Sequence, residues 1–302
     1  MTLAISTDLQ DRLAAIAGEW QRADGAPAEG LVERAEETVA ELLTELEAGR
    51  VRAAEPDSEA PGGWRANAWV KQGVLLAFRL PGLRDYRASD ILAARDRAAV
   101  GLVDLLNGEA ARTAIAAGAP IRVVPGGSSV RAGSHLEPGV TIVPPSFVNV
   151  GAWVGRGSMV DSHVLVGSCA QIGERVHLSA AVQIGGVLEP AGARPVIVED
   201  DAFVGGGCGL YEGVVVQRGA VLGAGVILSG QGRLIDLVQE RELRGTPEEP
   251  LVVPAGAVVV PGTRPARGTY ADRHGVGLSV PVIVKMRDGS TDARTALESA
   301  LR

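Results

Sequence analysis

Met159 to Ser179 reads MVDSHVLVGSCAQIGERVHLS, and a single beat runs through it. Val160, Val166, Ile172 and Leu178 stand six residues apart. Carrying the step outward collects Val124, Val130, Leu136, Ile142, Val148 and Val154 before the stretch and Ile184 after it. Two residues ahead of these positions the chain prefers small or branched residues: Ser128, Ser134, Ser146, Ala152, Ser158, Ala170 and Val182. Neither the helical period nor simple strand alternation gives a six-residue beat, but a hexapeptide solenoid does. Each hexad supplies one short strand and one corner, and three hexads close a triangular coil. Residues 18 apart then stack from coil to coil, about 4.8 Å along the axis. The central region is therefore expected to be a parallel β-helix.

The beat stops after Ile184 at GGVLEPAGARP and resumes out of phase at Val198, Val204, Leu210, Val216, Leu222 and Leu228. A loop is thus expected around residues 187–196. A second insertion, GQGRLIDLVQERELRGTPEEP, precedes a last coil at LVVPAGAVVVPG. Solenoid insertions project from one face, often the binding face.

Residues 1–118 read as a mainly helical N-terminal domain. Leu9, Leu13, Ile16 and Trp20 share one helical face, and Leu31, Ala35, Val39, Leu42 and Leu46 share another, with Gly49 as a stop. WRANAWVKQGVLLAFRL is expected to be a short helix running into a strand, and residues 88–118 a further helical stretch. The β-helix spans 119–262. A small β/α cap occupies 263–302, with a strand at GLSVPVIVKM and a closing helix at TDARTALESALR.

Composition narrows the function classes. A net charge of −7 leaves no cationic surplus for nucleic acid. Two cysteines make no disulfide framework and show no zinc spacing. No apolar run is long enough to span a bilayer, and the first residues carry acids where a signal peptide needs a basic start. These features predict a soluble cytoplasmic protein. The four histidines, His135, His163, His177 and His274, are not 18 apart in any pair, which disfavours a metal site built by stacking coils.

Asp161 falls just after a core position, so its carboxylate leaves the coil at a corner. A carboxylate there can orient an amine nucleophile and accept its proton. Ser179 lies 18 residues on, one coil above. Glu189 sits where the beat breaks, either as a site acid on the loop or as its exposed first turn. His163, at the same corner, is a competing base. Cys208, two residues before Leu210, falls in the small inward slot, so packing is expected of it rather than reactivity. Cys169 is read the same way.

The stretch quoted first, together with IGGVLEP, VIVED, YEGVVV, VPAGAVVVPG and the upstream WRANAWVKQGVLLAFR, closely resembles the tetrahydrodipicolinate N-succinyltransferase family. The resemblance runs from about Trp64 to Val284. It implies a left-handed β-helix in a homotrimer, with active sites between neighbours and no metal or permanently bound cofactor. Succinyl-CoA is the co-substrate, and the hydrated cyclic amino dicarboxylate is acylated on nitrogen and opens to N-succinyl-2-amino-6-oxopimelate. Asp161 matches the acid of the family's Met-Val-Asp motif. Arg122 matches an arginine that engages a substrate carboxylate, and Lys285 a lysine facing the phosphates of CoA. Gly223 and Ala224 are expected to meet the same co-substrate.

The largest departure is GGGCGL, Gly205 to Leu210. The common family form has Gly-Ala-Arg-Ser-Glu at Gly205 to Gly209, so the arginine and the glutamate are both missing. The family's Phe-Asp-Lys-Val-Pro segment is also absent, with DYRASDILAARD in its place. Two rivals therefore stand beside succinyl transfer. One is a paralogue using acetyl-CoA or another acyl-CoA on a related amino acid. The other is a non-catalytic β-helix serving assembly.

Overall fold

The structure is a computed structural model describing residues 2–23, 27–89 and 92–289. The six-residue beat becomes a ladder of two-residue strands, each ending on the inward aliphatic residue. Trp153 pairs with Gln171 and Val154 with Ile172, and this offset of 18 recurs through the regular coils. The coils form a left-handed triangular prism with three parallel-stranded faces. Its interior is a column of Val, Leu and Ile side chains at essentially zero exposure. Each buried side chain contributes about 1.5–3 kcal/mol relative to exposure.

The outward row of one six-stranded face is His135, Trp153, Gln171, Ile197, Val215 and Val252. This helix-covered face carries the N-terminal domain. The ten-stranded face is lengthened by a hairpin (Arg233–Asp236 with Arg241–Arg244) and by the antiparallel pair Ala257–Pro265 and Gly277–Met286. The third face, again six-stranded, shows Ser129, Phe147, Leu165, Gln183, Gly209 and Ile227 outward. Phe147, Leu165 and Gln183 are half-buried and Ile227 is 54% exposed, so this is the open face.

The small inward residues follow a rule. Ser134 Oγ donates to Asn149 O, Ser146 Oγ to Asp161 O and Ser158 Oγ to Gly173 O, at 2.7–2.8 Å. In each pair the acceptor is the first corner residue 15 positions later. Cys208 Sγ donates to Gly223 O at 3.1 Å in the same arrangement, so this cysteine performs the serine's bracing. Cys169 is also buried, but at a corner beneath the N-terminal domain rather than inside the prism, and burial pushes its thiol up to about 12.

The N-terminal domain packs α1 (Thr2–Arg22), α2 (Glu29–Glu47) and α3 (Ala68–Arg79) through the expected faces, with Leu9, Leu13, Val39, Leu42, Val70 and Val74 nearly fully buried. Two expectations are corrected. Around Trp64 the order is reversed: strand Trp64–Ala66 precedes α3, because Trp64–Ala66 pairs with Ala54–Pro56. Residues 88–89 and 92–97 are not helical either. Leu83–Ser89 and Leu92–Arg97 form a hairpin, and only α4 (Glu109–Ala116) is helix in that stretch. The alanine-rich composition favoured helix, and strand pairing overrode it. The first coil also slips by one residue. Val123, not Val124, pairs with Ile142, an offset of 19, because the Gly126–Gly127 corner holds an extra residue. The strand at 277–286 is present, while the helix expected at TDARTALESALR lies outside the described residues. Strand Ala257–Pro265 runs across the expected boundary at 262, so the cap continues the prism's longest face.

Candidate active site

Asp161, Ser179, Gly205, Gly223 and their neighbours stack on one edge of the prism, between the hairpin-extended face and the open face. Successive corners read Asp161–Ser162–His163, Ser179–Ala180–Ala181, Gly205–Gly206–Gly207 and Gly223–Ala224–Gly225. The third residue of each has positive φ, 61° at His163 and Ala181 and 67° at Gly207. Its N–H donates to the corner below: Ala181 to Ser162 O, Gly207 to Ala180 O and Gly225 to Gly206 O, at 2.8–3.0 Å.

Above Asp161 no corner side chain is larger than serine. The ridge from Ser179 to Gly225 covers two coil steps, about 10 Å, of nearly bare backbone. The N–H groups of Ala180, Gly206 and Ala224 have no hydrogen-bond partner among the described residues. They are open donors along the ridge. A Cβ on Gly205 would lie 2.6 Å from Ala224 N and 2.7 Å from Leu222 O, so close coil stacking requires that glycine. Gly207 faces open space.

Asp161 is half-buried, and one carboxylate oxygen accepts the Ser162 N–H at 2.7 Å. Its backbone is held on both sides, by its own N–H to Leu178 O and by Ser146 Oγ on its carbonyl. One coil above, the Ser179 hydroxyl is buried with no hydrogen-bond partner among the described residues. A buried hydroxyl without a partner thus stands beside an anchored carboxylate. The two were paired from their spacing, and the structure brings them together.

The other expected residues lie elsewhere on the chain. Gly223 and Ala224 are on the same ridge, two and three coils above Ser179 and Asp161 respectively. His163 is exposed at the Asp161 corner, with its backbone N–H on Pro145 O. Arg122 is exposed on the first strand of the hairpin-extended face, two coils below Asp161. Lys285 is opposite Val258 at the other end of that face, and Asp288 engages its ammonium through both oxygens at 2.9 Å. Glu189 is exposed at the next edge, between the open and helix-covered faces, so the width of the open face separates it from its own Asp161. There it lines a cavity of about 580 Å³ with Arg194, Tyr211, Glu212, Gln231 and Thr246.

Sequence reasoning passed over two residues. Lys71, in α3, is fully buried, and its ammonium donates to Ala193 O at 2.5 Å and Pro190 O at 3.3 Å. It fastens the 187–196 loop to the N-terminal domain, and burial lowers its pKa. The signal was a lysine on the apolar face of WRANAWVKQGVLLAFR. The second is Tyr211, whose ring covers Gly209. A Cβ there would lie 2.6 Å from Cε2 and 2.8 Å from the hydroxyl.

Among the described residues no group of three or more His, Cys, Asp or Glu could hold a metal ion, and no helix is long and apolar enough to cross a membrane. A hexapeptide prism with an anchored carboxylate and a bare donor ridge defines an acyltransferase of the hexapeptide-repeat class. Residues 13–80 match the family profile described as tetrahydrodipicolinate N-succinyltransferase N-terminal, and residues 195–229 the hexapeptide repeat of succinyl-transferase. A 2,3,4,5-tetrahydropyridine-2,6-dicarboxylate N-succinyltransferase of Methylorubrum extorquens is 40% identical over 266 residues, 88% of this chain and 89% of that one. The enzyme of the same name from Idiomarina loihiensis is 40% identical over 267 residues, with the same coverage. The chain belongs to the tetrahydrodipicolinate N-succinyltransferase family. A solved structure from Campylobacter jejuni, titled a putative 2,3,4,5-tetrahydropyridine-2-carboxylate N-succinyltransferase, covers 82% of this chain and 62% of its own, at 16% identity and a TM-score of 0.37. At that distance the likeness adds nothing to the family assignment.

Proposed function

We propose that this chain transfers the succinyl group of succinyl-CoA to the nitrogen of hydrated tetrahydrodipicolinate, a step of diaminopimelate and lysine formation. The observation that carries the reading is the stacking of the Asp161 carboxylate beneath the orphaned Ser179 hydroxyl, at the foot of the bare ridge. The acyl-CoA lies along the ridge against Gly223 and Ala224. Its two amide oxygens and the thioester oxygen take the open N–H donors of Ala180, Gly206 and Ala224. The substrate nitrogen attacks the thioester carbon, the C–S bond breaks and CoA leaves. Asp161 takes the nitrogen's proton. The carbinolamine C–N bond then opens to give N-succinyl-2-amino-6-oxopimelate.

Arg122 fits a carboxylate of the substrate by its bidentate geometry. Its place two coils below Asp161 favours a site completed across a neighbouring subunit, as does the distance of Glu189. A homotrimer supplies that neighbour, with the apolar open face as the surface it covers. Lys285 meets the CoA phosphates by releasing Asp288. Two buried, unpaired cysteines fit a reducing cytoplasm.

Thiol release tests the reading, with succinyl-CoA and acetyl-CoA each offered with tetrahydrodipicolinate. Release with succinyl-CoA is expected, and Asp161→Asn should lower it by about 10²–10⁴-fold. Absence of release with either donor would sink the assignment. Unchanged activity in Asp161→Asn would remove that residue from its role. A second reading, acetyl or another short acyl transfer, is favoured by the uncharged Gly207 and Gly209, and predominant turnover of acetyl-CoA would establish it.

A further inference from the structure

The open face carries no charged side chain in its outward row. Gln183 is the amide of that row, and its Nε2 is occupied by the carbonyls of His163, Ala181 and Val182. Tyr211 leaves the chain at the far edge of this face and folds back across it. Three positions shape its bed. A Cβ on Gly185 would lie 2.9 Å from Tyr211 Cδ1. A Cβ on Gly209 would lie 2.6 Å from Cε2, 2.8 Å from Oη and 3.0 Å from Ile227 Cδ1. Two glycines are therefore required for the ring to lie flat, with Ile227 as its apolar neighbour. No group among the described residues bonds the hydroxyl, which lies over Gly209. Gly209 is two residues from Gly207, about 6.6 Å of strand. The next coil carries Gly223 and Ala224, the residues assigned to the donor.

We propose that Tyr211 is a specificity-determining residue for the acyl donor, selecting chains that end in a polar oxygen. This rests on the acyl-transfer reading. The methylenes of a short acyl chain leave the ridge and lie on Ile227 and the tyrosine ring. The phenol donates one hydrogen bond to the oxygen at the end of the chain. An acetyl group is too short to reach it and gains nothing from it.

The test uses the full-length protein labelled with 3-fluorotyrosine. Its three tyrosines give three fluorine resonances, and Tyr211 is the one missing from Tyr211→Phe. Saturation with succinyl-CoA should shift that resonance, while acetyl-CoA leaves it in place. In unlabelled protein Tyr211→Phe should lower kcat/KM for succinyl-CoA roughly ten- to a hundred-fold, the range of one lost hydrogen bond to a charged carboxylate. Turnover of acetyl-CoA and the melting temperature should stay unchanged. A resonance that succinyl-CoA does not move, or an unaltered preference between donors, would overturn the proposal. A shift by succinyl-CoA without CoA release from the wild type would refute the proposed reaction and leave the donor site standing. Gly209→Ala should move the same resonance by lifting the ring, and an unmoved line would also count against the proposal.

Discussion

Two edges of one prism show what a repeat leaves free. At the edge between the helix-covered and hairpin-extended faces, the middle N–H of three corners is capped by a carboxylate. Glu137 takes Arg156 N, Asp200 takes Glu174 N and Glu199 takes Arg218 N, at 2.7–3.0 Å. At the Asp161 edge the same backbone positions recur, but only Ser162 N is capped, by Asp161 itself, while those of Ala180, Gly206 and Ala224 stay open. Three donors of the first edge are satisfied within the chain, and Glu199 also accepts from Trp64 Nε1. The second leaves three donors without a partner among the described residues. The coil is the same at both, and the outward residues decide whether it is finished or receptive.

Filling the receptive edge should break the contrast most severely. Gly206→Leu places its Cβ 3.3 Å from Ala180 O, a contact the fold can absorb. Its side chain then covers the ridge. Turnover should fall by about 10²-fold or more, with the far-UV spectrum and melting temperature nearly unchanged. The third edge, where Lys71 holds the 187–196 loop, comes next. Lys71→Ala leaves two carbonyls without their donor and a gap in α3, and should cost about 2–3 kcal/mol in urea unfolding. Uncapping the finished edge should cost less. Glu199→Ala frees Arg218 N and Trp64 Nε1 together, for a loss of about 1–2 kcal/mol by the same measurement.

The smallest effect is a pH dependence at the helix-covered face. His135 is held neutral by burial, with its pKa lowered, and donates Nδ1–H to Glu47 O at 2.7 Å while stacking on Trp153. Because the folded pKa is the lower one, the unfolded chain binds the extra proton first. The stability this residue contributes is complete above about 6.5 and is lost as pH falls below it. Burial raises the neighbouring Glu47 carboxyl, an effect of opposite sign. The measurable quantity is therefore the difference between wild type and His135→Gln. That difference should shrink on acidification, and a constant one would contradict the assignment.

The six-residue beat made the prism, its interior and the stacking of Asp161 on Ser179 legible from sequence, because inward positions answer to packing alone and repeat strictly. It also placed Cys208 inside, although not as the donor to Gly223 O. The hairpin at 83–97 was not legible, since an alanine-rich stretch carries helix propensity and its strand pairing is a matter of partners. Lys71 and Tyr211 escaped for a related reason. Pro190 and Ala193, the partners of the first, are distant in sequence, and Gly185 and Ile227, which shape the bed of the second, belong to other coils.

The glycines of GGGCGL show where sequence stops and tertiary structure begins. Sequence alone determined that Val204 and Leu210 keep the beat, so the stretch is β-helix rather than loop. Only the folded chain decided what each glycine does: Gly205 admits the backbone of the next coil, Gly207 turns the corner at positive φ, and Gly209 makes room for an aromatic ring. Periodicity is a local property of the chain and can be counted. Excluded volume belongs to atoms brought together by folding, and it is fixed only once the coils are stacked.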